Sequence, residues 1–329
     1  MNTLFSRIGR RIKYTWTAFR SDCHFSLYYA CLRMMDEIGG RLGAKKLSDK
    51  AHDRKDRWII DYLEKTLKPV IDKMRDVNET GTYVENAPIW ICWWTGEETA
   101  PPLVQKCISS IRENAGNHPV YLITENNYCD YLTIPDYMLD KVHAHKMGLA
   151  HLSDYIRSAL LAAYGGLWLD ATIFCSQTVP EEYFLMPVFT CKSPKAPSRY
   201  ISELQWTTFV LGGWKGNVLY RYLKIAFESY WKENNTAIDY LFFDYLIKLA
   251  KEQIPSAAEY LDAVPFNNLH RDDLQAAMNA ALPASAFDDV IQPDTCLYKL
   301  SWREQYAEAT ADGQETVYSY FINNTRRLS

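Results

Sequence analysis

Three side chains near the middle of the chain could work together: Asp154, Arg157 and Asp170. His151, Asp154 and Arg157 stand three residues apart, so on a helix they share one face. An acid and a guanidinium presented together suit a ligand that carries both hydroxyls and phosphates. The carboxylate accepts from a sugar hydroxyl and the guanidinium forks onto anionic oxygen. The same spacing also fits an ordinary surface ion pair, which contributes little. Asp170 follows Gly165-Gly166 and closes an apolar run, a place where a carboxylate is costly to desolvate unless it binds something. A divalent cation held between Asp170 and a diphosphate would neutralise charge on a departing group. A solvated acid at a strand end is the plainer alternative.

These residues need a helix, a turn and a strand to position them. Ser153 is placed to cap a helix on which Ile156, Leu160 and Leu161 recur at helical spacing, and Gly165-Gly166 is a stop that tolerates positive φ. Leu167, Leu169 and Ala171 alternate with Trp168, Asp170 and Thr172, which predicts a strand delivering Asp170 near its carboxyl end. Open α/β sheets bind ligands at that edge. Upstream, Ile89-Trp-Ile-Cys-Trp-Trp94 reads as a strand, 102–114 as a helix and 118–124 as a second strand, together a β-α-β unit of a parallel sheet.

Downstream, 176–200 reads as loop and 206–211 as a strand ending at Gly212-Gly213-Trp214. Two aromatic-rich helices span 217–252, split near Asn234-Asn235, and the second carries Asp244. A helix over 272–282, the segment 295–302 and a polar tail complete the chain. Residues 22–78 hold one proline, and Trp58, Ile59, Tyr62, Leu63 and Leu67 repeat at three and four, so a helical amino-terminal section precedes the sheet. The expected division is a helical extension over 1–84 and a catalytic domain over 85–329.

Composition narrows the function. The chain has 329 residues, 48% of them hydrophobic, which is enough for a full core, and its net charge of −4 gives no reason to expect nucleic-acid binding. Charge is uneven: residues 1–80 carry 17 basic and 11 acidic side chains, and the remainder is net acidic. Within 1–20, Ile8, Ile12, Trp16 and Phe19 line one helical face among arginines and a lysine. That pattern fits either peripheral contact with an anionic membrane or packing on the chain's own domain. Eight cysteines without a CxxC pair fit free thiols in a reducing compartment. No stretch has the length of a transmembrane helix or the build of a signal peptide. The expectation is a cytoplasmic protein that meets, at most, the inner face of the plasma membrane.

Taken together, Ile89-Trp-Ile-Cys-Trp-Trp-Thr-Gly-Glu97, Ser153-Asp154-x-x-Arg157, Gly166-Leu-Trp-Leu-Asp-Ala-Thr172, Gly212-Gly213-Trp214 and Lys299-Leu-Ser-Trp302 resemble the bacterial capsular polysaccharide synthesis family. The likeness extends to the Och1-like mannosyltransferases and the glycosyltransferase domains of large clostridial toxins. It covers roughly residues 86–321. The resemblance implies a GT-A fold, Rossmann-like, with a mixed, mostly parallel sheet flanked by helices. It also implies a retaining glycosyltransferase of hexosyltransferase type, using a nucleoside diphosphate sugar, a UDP-sugar being favoured, and a polysaccharide or glycolipid acceptor.

Carried onto this chain, the resemblance makes Trp93, with Trp94 as the alternative, the platform for the base. Asp154 and Arg157 become contacts to ribose, sugar and phosphates, and Trp168 and Asp170 part of the donor site. Ser301 and Trp302 lie in a loop closing over the diphosphate. It also implies a DxD motif on Mn²⁺ or Mg²⁺, which maps to Asp170 and Thr172; a neutral hydroxyl stands where the second acid belongs and is a weak sole partner for such an ion. Asp170 and Arg157 are the expected catalytic pair, Asp244 could meet an acceptor hydroxyl, and Gly212-Gly213-Trp214 could shape the acceptor side. A nucleotide-sugar-binding scaffold without turnover and a glycoside hydrolase built on Asp154 and Asp170 are the competing readings.

Overall fold

The computed structural model describes residues 16–78, 80–196, 198–282 and 286–323, so the basic amphipathic stretch lies outside the described residues up to position 15. Residues 16–22 are helical, and three helices follow: α1 (Leu27–Arg41), α2 (Lys45–Thr66) and α3 (Lys68–Met74). The β-α-β unit follows as β1 (Ile89–Cys92), α4 (Pro102–Glu113) and β2 (Val120–Ile123). Next come α5 (Asp136–His143), α6 (Leu149–Tyr164), β3 (Gly166–Leu169), β4 (Ile173–Cys175), β5 (Val188–Thr190) and β6 (Val210–Gly213). The carboxyl-terminal part holds α7 (Val218–Glu233), α8 (Phe242–Gln253), α9 (Pro255–Ala263), α10 (Asp273–Ala277), α11 (Ala286–Val290), β7 (Leu297–Lys299) and α12 (Val317–Asn323).

A central sheet runs in the order β2-β1-β3-β6-β5. β1 pairs in parallel with both β2 and β3, while β6 is antiparallel to β3 and β5, so four of its five strands point the same way. The fold is mixed α/β with a mostly parallel sheet flanked by helices and a helical amino-terminal segment. Alternation along the strands divides the core between two faces. Ile89, Ile91, Leu167, Leu169 and Val210 pack with Leu103, Val104 and Ile108 of α4. Trp90, Trp168 and Leu211 pack on the other face with α6, α7 and α8. Strands covered on both faces need apolar residues at every position, which is why these runs are nearly unbroken.

Ile59 and Leu63 of α2 enter the same core as Trp168. Tyr29 stacks on Trp58 at 4.7 Å, and the Tyr245 hydroxyl donates to Asp56 at 2.6 Å, tying the first helices to α8. That anchorage bears on the site because α8 carries Phe243 and Asp244.

Several local expectations change. Helix α6 starts at Leu149 with Gly148 as its N-cap, so Ser153 lies inside the helix and caps nothing. The reason is Leu152, buried on the same stripe as Ile156 and Ala159, which carries the apolar face one turn further upstream. The strand predicted to run through Thr172 stops at Leu169. There the Ile173 N–H donates to the Asp170 carbonyl at 2.8 Å, a tight turn that takes Asp170 and Thr172 out of the sheet. The chain then pairs as β4 with β7 in a separate antiparallel ribbon, with Ile173 opposite Lys299. The strand expected over 206–211 is displaced to Val210–Gly213, the segment read as loop contains β5, the helix over 272–282 shortens to Asp273–Ala277, and the polar tail contains α12. β5 is three residues long and is masked in the sequence by the prolines around it.

The glycine turn holds. Gly165 caps α6 at φ 71°, Gly166 follows at φ 95°, and a Cβ built on Gly166 would lie 2.1 Å from the Pro88 carbonyl oxygen. Only glycine fits this close approach of β3 to the residue before β1.

Candidate functional site

The carboxyl ends of β1 and β3 open onto a cleft of about 580 Å³, walled on the other sides by the start of α6, α8 and the segment after β7. Trp93, Asp154, Arg157, Asp170, Thr172, Asp244, Ser301 and Trp302 all line it, although they come from five separate stretches of chain.

Arg157 is its centre. The side chain is 4% exposed, donates through one terminal nitrogen to Asp154 at 2.8 Å and through the other to Asp170 at 3.0 Å. Its guanidinium lies 4.8 Å from the Trp168 ring centre and 5.2 Å from that of Phe243. A cation so deeply placed needs partners, and two carboxylates with two aromatic faces supply them. The surface ion pair considered from sequence is thus a buried bridge between α6 and the end of β3. His151, on the same helical face, does not join the cluster; its ring lies 5.9 Å from that of Trp231.

Three donors converge on the Asp170 carboxylate. The Trp168 indole N–H and Arg157 both reach Oδ1 at 3.0 Å, and the Lys299 ammonium reaches Oδ2 at 3.1 Å. The backbone is fixed as well, through the Asp170 N–H on the Phe209 carbonyl at 2.9 Å. Burial alone would push this carboxyl up, but Lys299 and Arg157, with the Trp168 N–H, outweigh it and hold the pKa below the usual carboxylate range. Asp154 goes the other way: burial raises its pKa despite Arg157. Trp168 itself is buried at 1% exposure and does not line the cleft; it sits under Arg157 and orients Asp170.

Trp93 and Trp302 meet edge to face, centroids 5.7 Å apart at 80°, with Trp302 exposed and Trp93 half-buried. The Trp93 Nε1 is buried with no hydrogen-bond partner among the described residues, as is Arg157 Nε. Trp94 also lines the cleft, but its ring stacks on Tyr128 at 5.4 Å. Ser301 is held by its backbone: its N–H donates to Gln275 at 2.7 Å and its carbonyl accepts from the Tyr306 hydroxyl. Opposite, Asp244 on α8 accepts from the Trp206 indole at 3.0 Å, and burial raises its pKa to about 7. Gly212 and Gly213 are strand residues within β6, and Trp214 donates to the Phe184 carbonyl at 3.2 Å, so none of the three reaches the cleft.

Two contributors are not singled out by the sequence pattern. Tyr240 stands exposed on the rim. Lys299, read only as part of a longer motif, holds Asp170 at 3.1 Å and the Thr172 hydroxyl at 2.5 Å. A lone lysine in the apolar run Cys296-Leu-Tyr-Lys-Leu300 is the available signal, because a strand that buries its neighbours leaves such a cation seeking an acid.

The pair expected to bind a divalent ion does not fit one. Both oxygens that would face the ion, Asp170 Oδ2 and Thr172 Oγ1, already accept from the Lys299 ammonium. No group of three His, Cys, Asp or Glu side chains among the described residues could hold a metal. Waters and substrate phosphates can supply most of the oxygen ligands of such an ion, so the fit turns on the two side-chain oxygens that Lys299 holds. A dication brought onto Asp170 would also meet the positive charge of Lys299, which stands 3.1 Å from Oδ2.

An acid-and-arginine cleft at the carboxyl ends of parallel strands, in a mostly parallel α/β sheet, defines a class of protein consistent with a GT-A-like fold. The chain belongs to the capsular polysaccharide synthesis protein family, whose model matches residues 41–321. This membership associates it with capsule biosynthesis. Neither the curated proteins nor the solved structures contain a match. Among the described residues, no helix is long and apolar enough to cross a membrane.

Proposed function

We propose that the chain is a glycosyltransferase that moves a sugar from a nucleoside diphosphate donor to a hydroxyl of a growing surface polysaccharide or glycolipid. The observation that carries this reading is the convergence, in one cleft, of the Asp154–Arg157–Asp170 cluster with the rings of Trp93 and Trp302. Trp93 lines the cleft and offers a ring for base stacking. Asp154 accepts from sugar hydroxyls, and Arg157, fixed by two carboxylates, lends its positive charge to the cleft. Asp170 serves the reaction by holding Arg157 and Lys299 in place. Asp244 lines the same cleft from α8, and a carboxyl that titrates near neutrality can hydrogen-bond and orient an acceptor hydroxyl. Same-face transfer, in which the departing phosphate receives the acceptor proton, gives retention without a covalent intermediate.

A glycoside hydrolase would need a catalytic carboxylate pair separated by the scissile bond. Here Asp154 and Asp170 bind one guanidinium between them, which leaves no room for a sugar. Titration calorimetry with UDP, GDP and CMP sugars, followed by an assay of slow donor hydrolysis, tests the proposal. A transferase binds one nucleotide class and hydrolyses its sugar donor. A scaffold binds without hydrolysis, and a hydrolase ignores all three.

A further inference from the structure

We infer that the ammonium of Lys299 is the built-in cation of this donor site, standing between Asp170 and Thr172 and meeting the leaving diphosphate, so that transfer needs no divalent metal. The inference rests on the nucleotide-sugar reading of the cleft.

Position, anchorage and a spare donor support it. An ammonium has three N–H donors. One goes to Asp170 Oδ2 at 3.1 Å and one to Thr172 Oγ1 at 2.5 Å, which leaves a third, and the Lys299 side chain lines the cleft. The side chain is 27% exposed, so the charge is partly desolvated yet reachable. Its backbone is fixed by the β4–β7 ladder opposite Ile173, by its N–H on the Arg271 carbonyl at 2.8 Å, and by the Leu300 N–H on the Thr172 carbonyl at 3.0 Å. The Phe209 ring lies 5.2 Å from the ammonium. The neutral Thr172 then has a reason. A second carboxylate there would bind the ammonium more tightly and hold back the charge that the diphosphate must meet, whereas a hydroxyl orients it and adds no charge.

In the transfer, the bond between the sugar's anomeric carbon and the β-phosphate oxygen breaks, and its electron pair leaves with the nucleoside diphosphate. A lone pair of the acceptor hydroxyl forms the new bond to the same carbon, and its proton passes to the departing phosphate oxygen. Lys299 stabilises the negative charge that grows on that phosphate without giving up its own proton.

The test uses the full-length protein, with UDP and GDP as calorimetric probes, once in EDTA and once in Mn²⁺, alongside turnover of the sugar donor identified by the nucleotide-sugar titrations. The expected result is equal binding and equal turnover in both conditions. In Lys299→Met, turnover falls about 100-fold or more and nucleotide binding weakens. Lys299→Arg, which keeps the charge, recovers part of both. Thermal melts check that the variants fold; if Lys299→Met does not, the wild-type comparison and Lys299→Arg still decide. Nucleotide binding or turnover seen only with Mn²⁺ overturns the inference and leaves the donor site standing. Wild-type turnover in Lys299→Met also overturns it. Absence of nucleotide binding in both conditions overturns the donor-site reading itself, and this inference with it.

Discussion

On the β3 side of the cleft Asp170 is met by Arg157 at 3.0 Å and Lys299 at 3.1 Å, whereas on α8, across the same space, Asp244 forms no ion pair among the described residues and accepts from the Trp206 indole at 3.0 Å. Both carboxyls are largely removed from water. One is held below the ordinary range because two cations and the Trp168 N–H outweigh its burial, and the other rises to about 7 because burial, with the neighbouring charges of Asp154 and Asp239, outweighs the Trp206 donor and Arg157. The difference separates two kinds of work. The β3 side holds its carboxylate charged, and the α8 side can change its protonation near neutral pH.

The largest expected effect comes from breaking the β3 side. Asp170→Asn keeps the shape but leaves Lys299 without its carboxylate and Arg157 with Asp154 alone. Turnover should fall by about 10³-fold or more, as when a fixed charge is lost from a reacting centre, while circular dichroism shows a folded protein. Turnover close to wild type would remove Asp170 from the mechanism. The wild-type carboxylate should also stabilise the fold above the ordinary carboxylate range, and that contribution should vanish as pH falls through its depressed native pKa.

The next effect concerns the α8 side and has the opposite sign. The native pKa of Asp244, about 7, lies above an unfolded value of about 4, so the native state holds the extra proton between those limits. Stability from this group is therefore complete below about pH 4 and is lost as pH rises through about 7. Asp244→Asn should flatten that slope and raise stability at pH 8 by up to about 4 kcal/mol, read from urea unfolding at several pH values. An unchanged slope would mean that Asp244 ionises as an exposed acid does. The smallest effect is expected at the neutral platform between the two sides. Trp93→Ala should weaken nucleotide binding by about 1–2 kcal/mol, measured by calorimetry, with little change in the pH dependence of either wall.

Much of the β3 side is legible in the sequence. The Gly165-Gly166 turn, the apolar stripe of α6 and the strand that delivers Asp170 are local patterns, and they put Asp154, Arg157 and Asp170 within reach of one another. The apolar run at Ile89 likewise carries Trp93 to the same sheet edge. Less legible are the start of α6, where Leu152 outweighs Ser153, and the break after Leu169, which a turn hydrogen bond at Asp170 creates inside an unbroken alternating pattern. The α8 side is visible only as an acid on an aromatic helix.

What the sequence by itself determined is the kind of sheet, the order of its β-α-β unit and the identity of the groups at its carboxyl edge, because periodicity and turn chemistry act over a few residues. Only the tertiary structure decided which cation completes the site. Lys299 reaches Asp170 from 129 positions away, through the pairing of β4 with β7. It also decided that Asp244 and Asp170 should titrate in opposite directions. Desolvation and charge pairing depend on what the whole chain folds around a group, and no local pattern of residues encodes that.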